Sequence, residues 1–333
     1  MHDLSKFIKL SANLRAKLVL AQRVAKRRVL SPKIHCETRW CSVYYMMKRF
    51  LEIYEDIKIL ALKKELNDYD GSMIMPQHIP KITTIVNILQ IVEKFSRRCE
   101  GEKYLTLSSV PPLLYNVMES LKPNPHDSTF VGDLKDSLTT CMENRLGFIL
   151  KKKNLALVAS AFDPRYGHLS FISEELRDET WELALKWVLE FEELASTFRN
   201  EDLEHDSDIE QPEGQDGAFY DRVLKKLRAH HEKQVCKDRE NEINPLEVWK
   251  TKYKGYFISL TSFAQVIFSI PATSAPSERV FSKTGYLLGK HRNRMTEDFL
   301  EVSALLQSYF SQPGFELRHF VEMVMNLLQG IPT

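Results

Sequence analysis

The chain has 333 residues, 43% of them hydrophobic, which is enough for one large core or two ordinary ones. Its net charge of +1 excludes a global field that would steer it to nucleic acid or membrane. Only 12 glycines and long apolar runs point to a mainly helical protein rather than a strand-rich one. The charge is uneven: residues 1–40 hold ten Lys or Arg against Asp3 and Glu37, whereas residues 200–217 hold eight acids and no Lys or Arg. Cys36, Cys41, Cys99, Cys141 and Cys236 are odd in number and scattered, so reduced thiols and an intracellular, soluble protein are expected. No signal-peptide pattern and no apolar run of about 20 residues occurs, so no membrane partner is expected.

In chain order, residues 4–28 carry a helical stripe of Leu10, Leu14, Leu18 and Ala21, ended by Ser31-Pro32. A second helix spans 40–66, and a third about 81–99. Pro111-Pro112 suits the first turn of another, and residues 131–150 are again amphipathic. The apolar run 155–161 is too short for periodicity to separate helix from strand. A helix over 174–198 precedes the acidic segment 200–217, whose composition predicts a linker or disordered loop. Helices are expected over 218–235, 257–270, about 276–289 and about 297–310.

Several groups can carry chemistry, each with a structural alternative. Arg39 can grip a phosphate and Trp40 can stack on a base, or the pair can serve a carboxylate contact and a hydrophobic cluster. Asp163-Pro164-Arg165 reads as a turn, with a catalytic carboxylate as the alternative. Ser274 to Ser282 reads as a helix start in which Glu278 faces the positive dipole end. Glu278 as a Mg²⁺ ligand would need further carboxylates, because a pair of cations must be held about 4 Å apart for phosphoryl transfer. Lys26, Arg27 and Arg28, and the knot that includes Arg292 and Arg294, are candidate phosphate contacts. His35, Cys36 and Cys41 lack the spacing and the fourth ligand of a zinc site, and no metal is expected there. His230 and His231 on a charged helix read as solvated.

Three stretches in this order resemble the hAT superfamily of transposases: "TRWCSVYYMMKRFLE" (38–52), "FDPRYGHLSFI" (162–172) and "NPLEVWKTKYKGYFISLTSFAQVIFSIPATSAPSERVFSKTGYLLGKHRNRM" (244–295). The resemblance covers the chain from about residue 4 to 310. It implies a mainly α fold: the helical insertion domain of a hAT transposase plus the C-terminal helices of an incomplete RNase H-like core. The implied organisation is an insertion-type domain at 1–199, an acidic linker at 200–217 and a helical dimerisation region at 218–333. By motif position Glu278 matches the family's catalytic glutamate, and Arg39 and Trp40 match its Arg-Trp pair, whose tryptophan stacks on the DNA hairpin. The two catalytic aspartates and the zinc-binding elements that precede the insertion in the family have no counterpart in this sequence.

The expected protein is therefore a truncated or domesticated hAT relative. It would keep self-association and DNA contact without a complete catalytic site, and without a cofactor unless two aspartates are supplied for Mg²⁺. Its expected place is the nucleus or the cytoplasm. Expected dimerisation residues are Phe281, Leu287, Leu288, Phe299, Val302, Leu306 and Tyr309, whose apolar faces need cover. Two alternatives stay open: a fragment of an active metal-dependent transposase, and a helical scaffold for a host protein.

Overall fold

A computed structural model describes residues 1–36, 41–71, 73–202, 217–233, 244–253 and 257–279, with backbone alone at 196–202 and 258–259. Among these residues the protein is helical and forms no strand. It divides into two compact units, residues 1–99 with 105–270, and residues 100–104 with 271–333.

The first unit begins with α1 (His2–Leu10) and α2 (Ala12–Val24). The single helix expected over 4–28 is two helices, because the Ser11 hydroxyl accepts the Leu14 amide and caps a new start. Leu10, placed in the expected stripe, is 70% exposed; the buried face runs instead through Leu4 and Ile8 on α1 and Leu14, Leu18 and Ala21 on α2. At its C-terminus, α2 closes with Lys26 in the left-handed region (φ 53). The Arg27 amide donates to Gln22 O and the Lys26 amide to Arg23 O. This is the paired closure usually built on glycine. The side chain of the fully buried Gln22 then holds both backbone groups of Leu30, which turns the chain back along the helix.

α3 (Ser42–Leu62) packs across α1 and α2 with Phe50, Ile53, Ile57 and Leu60 facing Leu4, Ile8, Leu14 and Leu18. Its stripe recurs at helical spacing, which is why these residues share one face. α4 (Ile79–Cys99) adds Ile82 and Val86 against Tyr44 of α3. α5 (Val110–Ser120) opens on the expected prolines. α6 (Thr129–Leu146) and α7 (Phe148–Lys151) divide the segment expected to be one helix.

α8 (Leu155–Phe162) resolves the run that periodicity left open. The Asn154 side chain accepts the amides of Ala156 and Leu157, which starts a helix rather than a strand. Ala156 to Phe162 are all buried, as suits a helix apolar on every side. Around it lie α9 (Glu174–Asp202), α10 (Gly217–Glu232), α11 (Pro245–Thr251) and α12 (Ile258–Ser269). Trp181, Val188, Leu224, Leu227, Trp249, Tyr253, Phe263 and Ile267 share this one core with α8. The core thus joins residues on either side of position 218. Residues 200–202 continue α9, and the rest of the acidic segment up to 216 lies outside the described residues.

In the second unit, residues 275–279 form a helical turn. The remainder of the helix expected from 276, and the helix expected over 297–310, lie outside the described residues.

Candidate functional site

Sequence reading placed candidate residues in four places. The first is the N-terminal cluster of cations. Lys26 and Arg28 are exposed, but Arg27 is not a free cation: its guanidinium lies 2.6 Å from Asp56 Oδ1 on α3. Asp56 is buried, so this pair ties α2 to α3 and leaves Lys26 and Arg28 to face solvent.

The second place is the approach to the Arg39-Trp40 pair. Both residues lie outside the described ones, but the positions on either side are fixed. The Ser42 hydroxyl donates to Cys36 O (2.8 Å) and receives the Cys36 amide (3.3 Å). It also meets His35 Nδ1 at 2.7 Å. Ser42 therefore engages His35 and Cys36, two of the three candidate zinc ligands. Cys41 stands in the left-handed region (φ 58) at the start of α3. One turn later, Tyr45 donates to Glu93 and receives a hydrogen bond from Arg97, and Lys33 sits 4.9 Å above its ring. Burial, and then the bond to Glu93, push the Tyr45 hydroxyl above its ordinary range. Arg49 donates to Ser31 O (2.8 Å) and pins the same stretch. Lys33, Arg49 and Arg97 thus contact described residues that flank the Arg-Trp stretch; sequence reading missed them because they are separated along the chain.

Asp163 is the third place. It is fully buried at the end of α8. Arg165 grips it with two hydrogen bonds, Nε to Oδ1 (3.0 Å) and Nη2 to Oδ2 (2.7 Å). The Arg165 amide donates to Oδ1 (2.9 Å), and the Ser108 hydroxyl to Oδ2 (2.7 Å). Four donors occupy the carboxylate, so Asp163 works as a structural lock and not as a general base. Next to it, Trp249 Nε1 donates to Phe162 O (2.9 Å) and its ring stacks on Phe162. His231, expected to be solvated, is buried with Nε2 3.2 Å from the Tyr253 hydroxyl. A Cβ at residue 167 would lie 1.7 Å from His231 Nδ1, so Gly167 is what admits the ring. Burial first, and then the neighbouring His230, lower the imidazole to about 3. Burial raises the Tyr253 hydroxyl, and the Asp163 charge adds to the rise.

Glu278, in the second unit, is the fourth. Its amide donates to Ser274 O (2.9 Å), and the Ser274 hydroxyl donates to its carboxylate (2.7 Å). Ser274 thus begins the turn as expected, and Glu278 sits on its exposed side. Arg279 pairs with Glu102 and donates to Glu100 O. Among the described residues no group of three His, Cys, Asp or Glu side chains gathers to hold a metal. One carboxylate already bonded to a serine does not by itself fit a divalent cation, which takes several oxygens. Arg292, Arg294, Phe281, Leu287, Leu288, Phe299, Val302, Leu306 and Tyr309 lie outside the described residues.

None of Cys36, Cys41, Cys99 and Cys141 forms a disulfide, and no helix among the described residues is long and apolar enough to cross a membrane. Residues 226–310 match the family model of the hAT family C-terminal dimerisation region. A comparison with curated proteins returns no match. The matched stretch contains Trp249, Tyr253 and Glu278, and its described part before residue 270 packs onto α8 and α9.

Proposed function

We propose that this chain, as a hAT transposase relative with a C-terminal dimerisation region, self-associates and contacts DNA. The family match at 226–310 is the observation that carries this reading. Phe281, Leu287, Leu288, Phe299, Val302, Leu306 and Tyr309 supply the apolar contact between subunits. In this reading residues 276–310 are the closing helices of an RNase H-like core. DNA contact rests on Lys26 and Arg28, on the Arg39-Trp40 pair, and on Arg292 and Arg294. A DNA partner makes the nucleus the expected place of action. Strand cleavage would need two carboxylates beside Glu278, because one glutamate cannot hold the cations that phosphoryl transfer uses.

Mass measurement of the purified full chain by light scattering tests the reading. A particle of twice the 38.8 kDa chain mass, or a larger multiple, is expected. A particle of single-chain mass at all concentrations rejects it.

A further inference from the structure

α2 has apolar side chains on two opposite sides. Leu14, Leu18 and Ala21 are buried against neighbouring helices, while Ala12, Ala16, Leu20 and Val24 are exposed and Val19 is half-buried. Leu20 is 61% and Val24 77% exposed, far more than a scattered surface residue needs to explain its presence. A helix apolar on both sides is ordinarily covered on both.

The pattern on the outward side is more specific than a greasy patch. A shallow depression is lined by Ala12, Arg15, Ala16, Val19, Leu20 and Arg23. These positions are two successive sets of spacing i, i+3, i+4, i+7, namely 12/15/16/19 and 16/19/20/23. Four residues so spaced form the hole that receives one knob from a facing helix. Alanines at 12 and 16 keep the floor low enough for a knob to enter. Each hole has one arginine at a corner, Arg15 in the first and Arg23 in the second. α2 has no acid at all, and its other cation, Lys17, is paired with Glu65 on the inner side.

We propose that the outward face of α2 seats an acidic amphipathic helix of a partner protein, with apolar knobs in the two holes and carboxylates against Arg15 and Arg23. Charge decides between occupants. A second copy of α2 laid on this face would bring arginine against arginine with no acid to answer it. A nucleic-acid backbone would satisfy the arginines but leave Val19, Leu20 and Val24 uncovered. An acidic helix answers both features at once.

The probe is a fluorescent synthetic peptide of about three heptads, with Leu at a and d and Glu at e and g, titrated with the full chain. A peptide with Lys at e and g is the counterpart. The acidic peptide is expected to bind at least about tenfold more tightly than the basic one, and Arg15→Glu with Arg23→Glu to reverse that order. Ala16→Arg fills the floor while adding positive charge. It should still weaken the acidic peptide at least about tenfold, which attraction by charge alone would not do. All three positions are exposed, so circular dichroism and thermal unfolding should match the parent chain. Equal binding of the two peptides, or acidic binding that Ala16→Arg strengthens, overturns the proposal. So does displacement of the acidic peptide by a DNA duplex whose own binding falls in the double arginine variant, since the face would then be a nucleic-acid surface. Self-association of the chain that disappears in Leu20→Asp would assign the face to a second copy and also overturn it.

Discussion

Asp163 holds three parts of the chain with one side chain: the end of α8, the turn to Arg165, and Ser108, which lies 55 residues away. A buried carboxylate costs several kcal/mol to desolvate unless every oxygen is bonded, and here every one is. Asp163→Asn places an amide hydrogen against Arg165 or Ser108 and should cost about 3–5 kcal/mol in urea unfolding. A loss below about 1 kcal/mol would show that the lock is not needed. The turn itself was legible in the sequence, because proline and aspartate act locally. Its partner Ser108 was not, since nothing in a local pattern points to a hydroxyl so far away.

His231 gives the fold a pH dependence whose sign follows from burial. Its folded value of about 3 is below the ordinary 6.5, so the unfolded chain takes up a proton first as pH falls. The stabilisation is complete above about pH 6.5 and is lost as pH drops from there towards 3, by up to about 1.4 kcal/mol per pH unit. His231→Gln should flatten unfolding free energy over that window. An unchanged slope would mean that another group governs it. Sequence reading took this histidine as solvated because its neighbours on α10 are charged; the bare Gly167 that admits it comes from another part of the chain.

At the scale of elements, helix identity was legible and helix boundaries were less so. The helices expected over 40–66, 81–99 and 174–198 are present as α3, α4 and α9, because long periodic segments bury one side. The break at Ser11 and the division of the segment 129–151 were not visible, since apolar spacing continues across both. The end of α2 carries the clearest test of the proposed DNA contact. Arg27 is committed to Asp56, whereas Lys26 and Arg28 project from the closing turn. Lys26→Glu with Arg28→Glu should lower the salt dependence of DNA binding by about two units of slope, without altering thermal stability. An unchanged slope would remove this turn from the DNA contact. Arg27→Glu should instead unfold the chain more easily, because Asp56 would face a like charge while buried.

Across the whole molecule, the first part of the matched dimerisation region is built into the core around α8 and α9. Trp249 reaches 87 residues back to Phe162, and Tyr253, Phe257 and Phe263 surround the same α8. This closure joins segments distant in sequence, which local periodicity cannot reveal. The family match falls on the last of the three stretches, which holds "IPATSAPSERVFS", a run specific in composition and sequence. On this reading the helices before residue 270 anchor the region, and the apolar residues after it are available to a second subunit. Burying one large apolar side chain contributes roughly 1.5–3 kcal/mol, so a few of them decide association.

Sedimentation equilibrium of the full chain across a micromolar concentration series tests this most directly, with Val302→Asp and Leu306→Asp beside it. The parent chain should sediment as a dimer or larger assembly, and each variant should shift towards monomer or lose solubility. A parent chain that stays monomeric throughout, or variants that associate as the parent does, would contradict self-association through the C-terminal region.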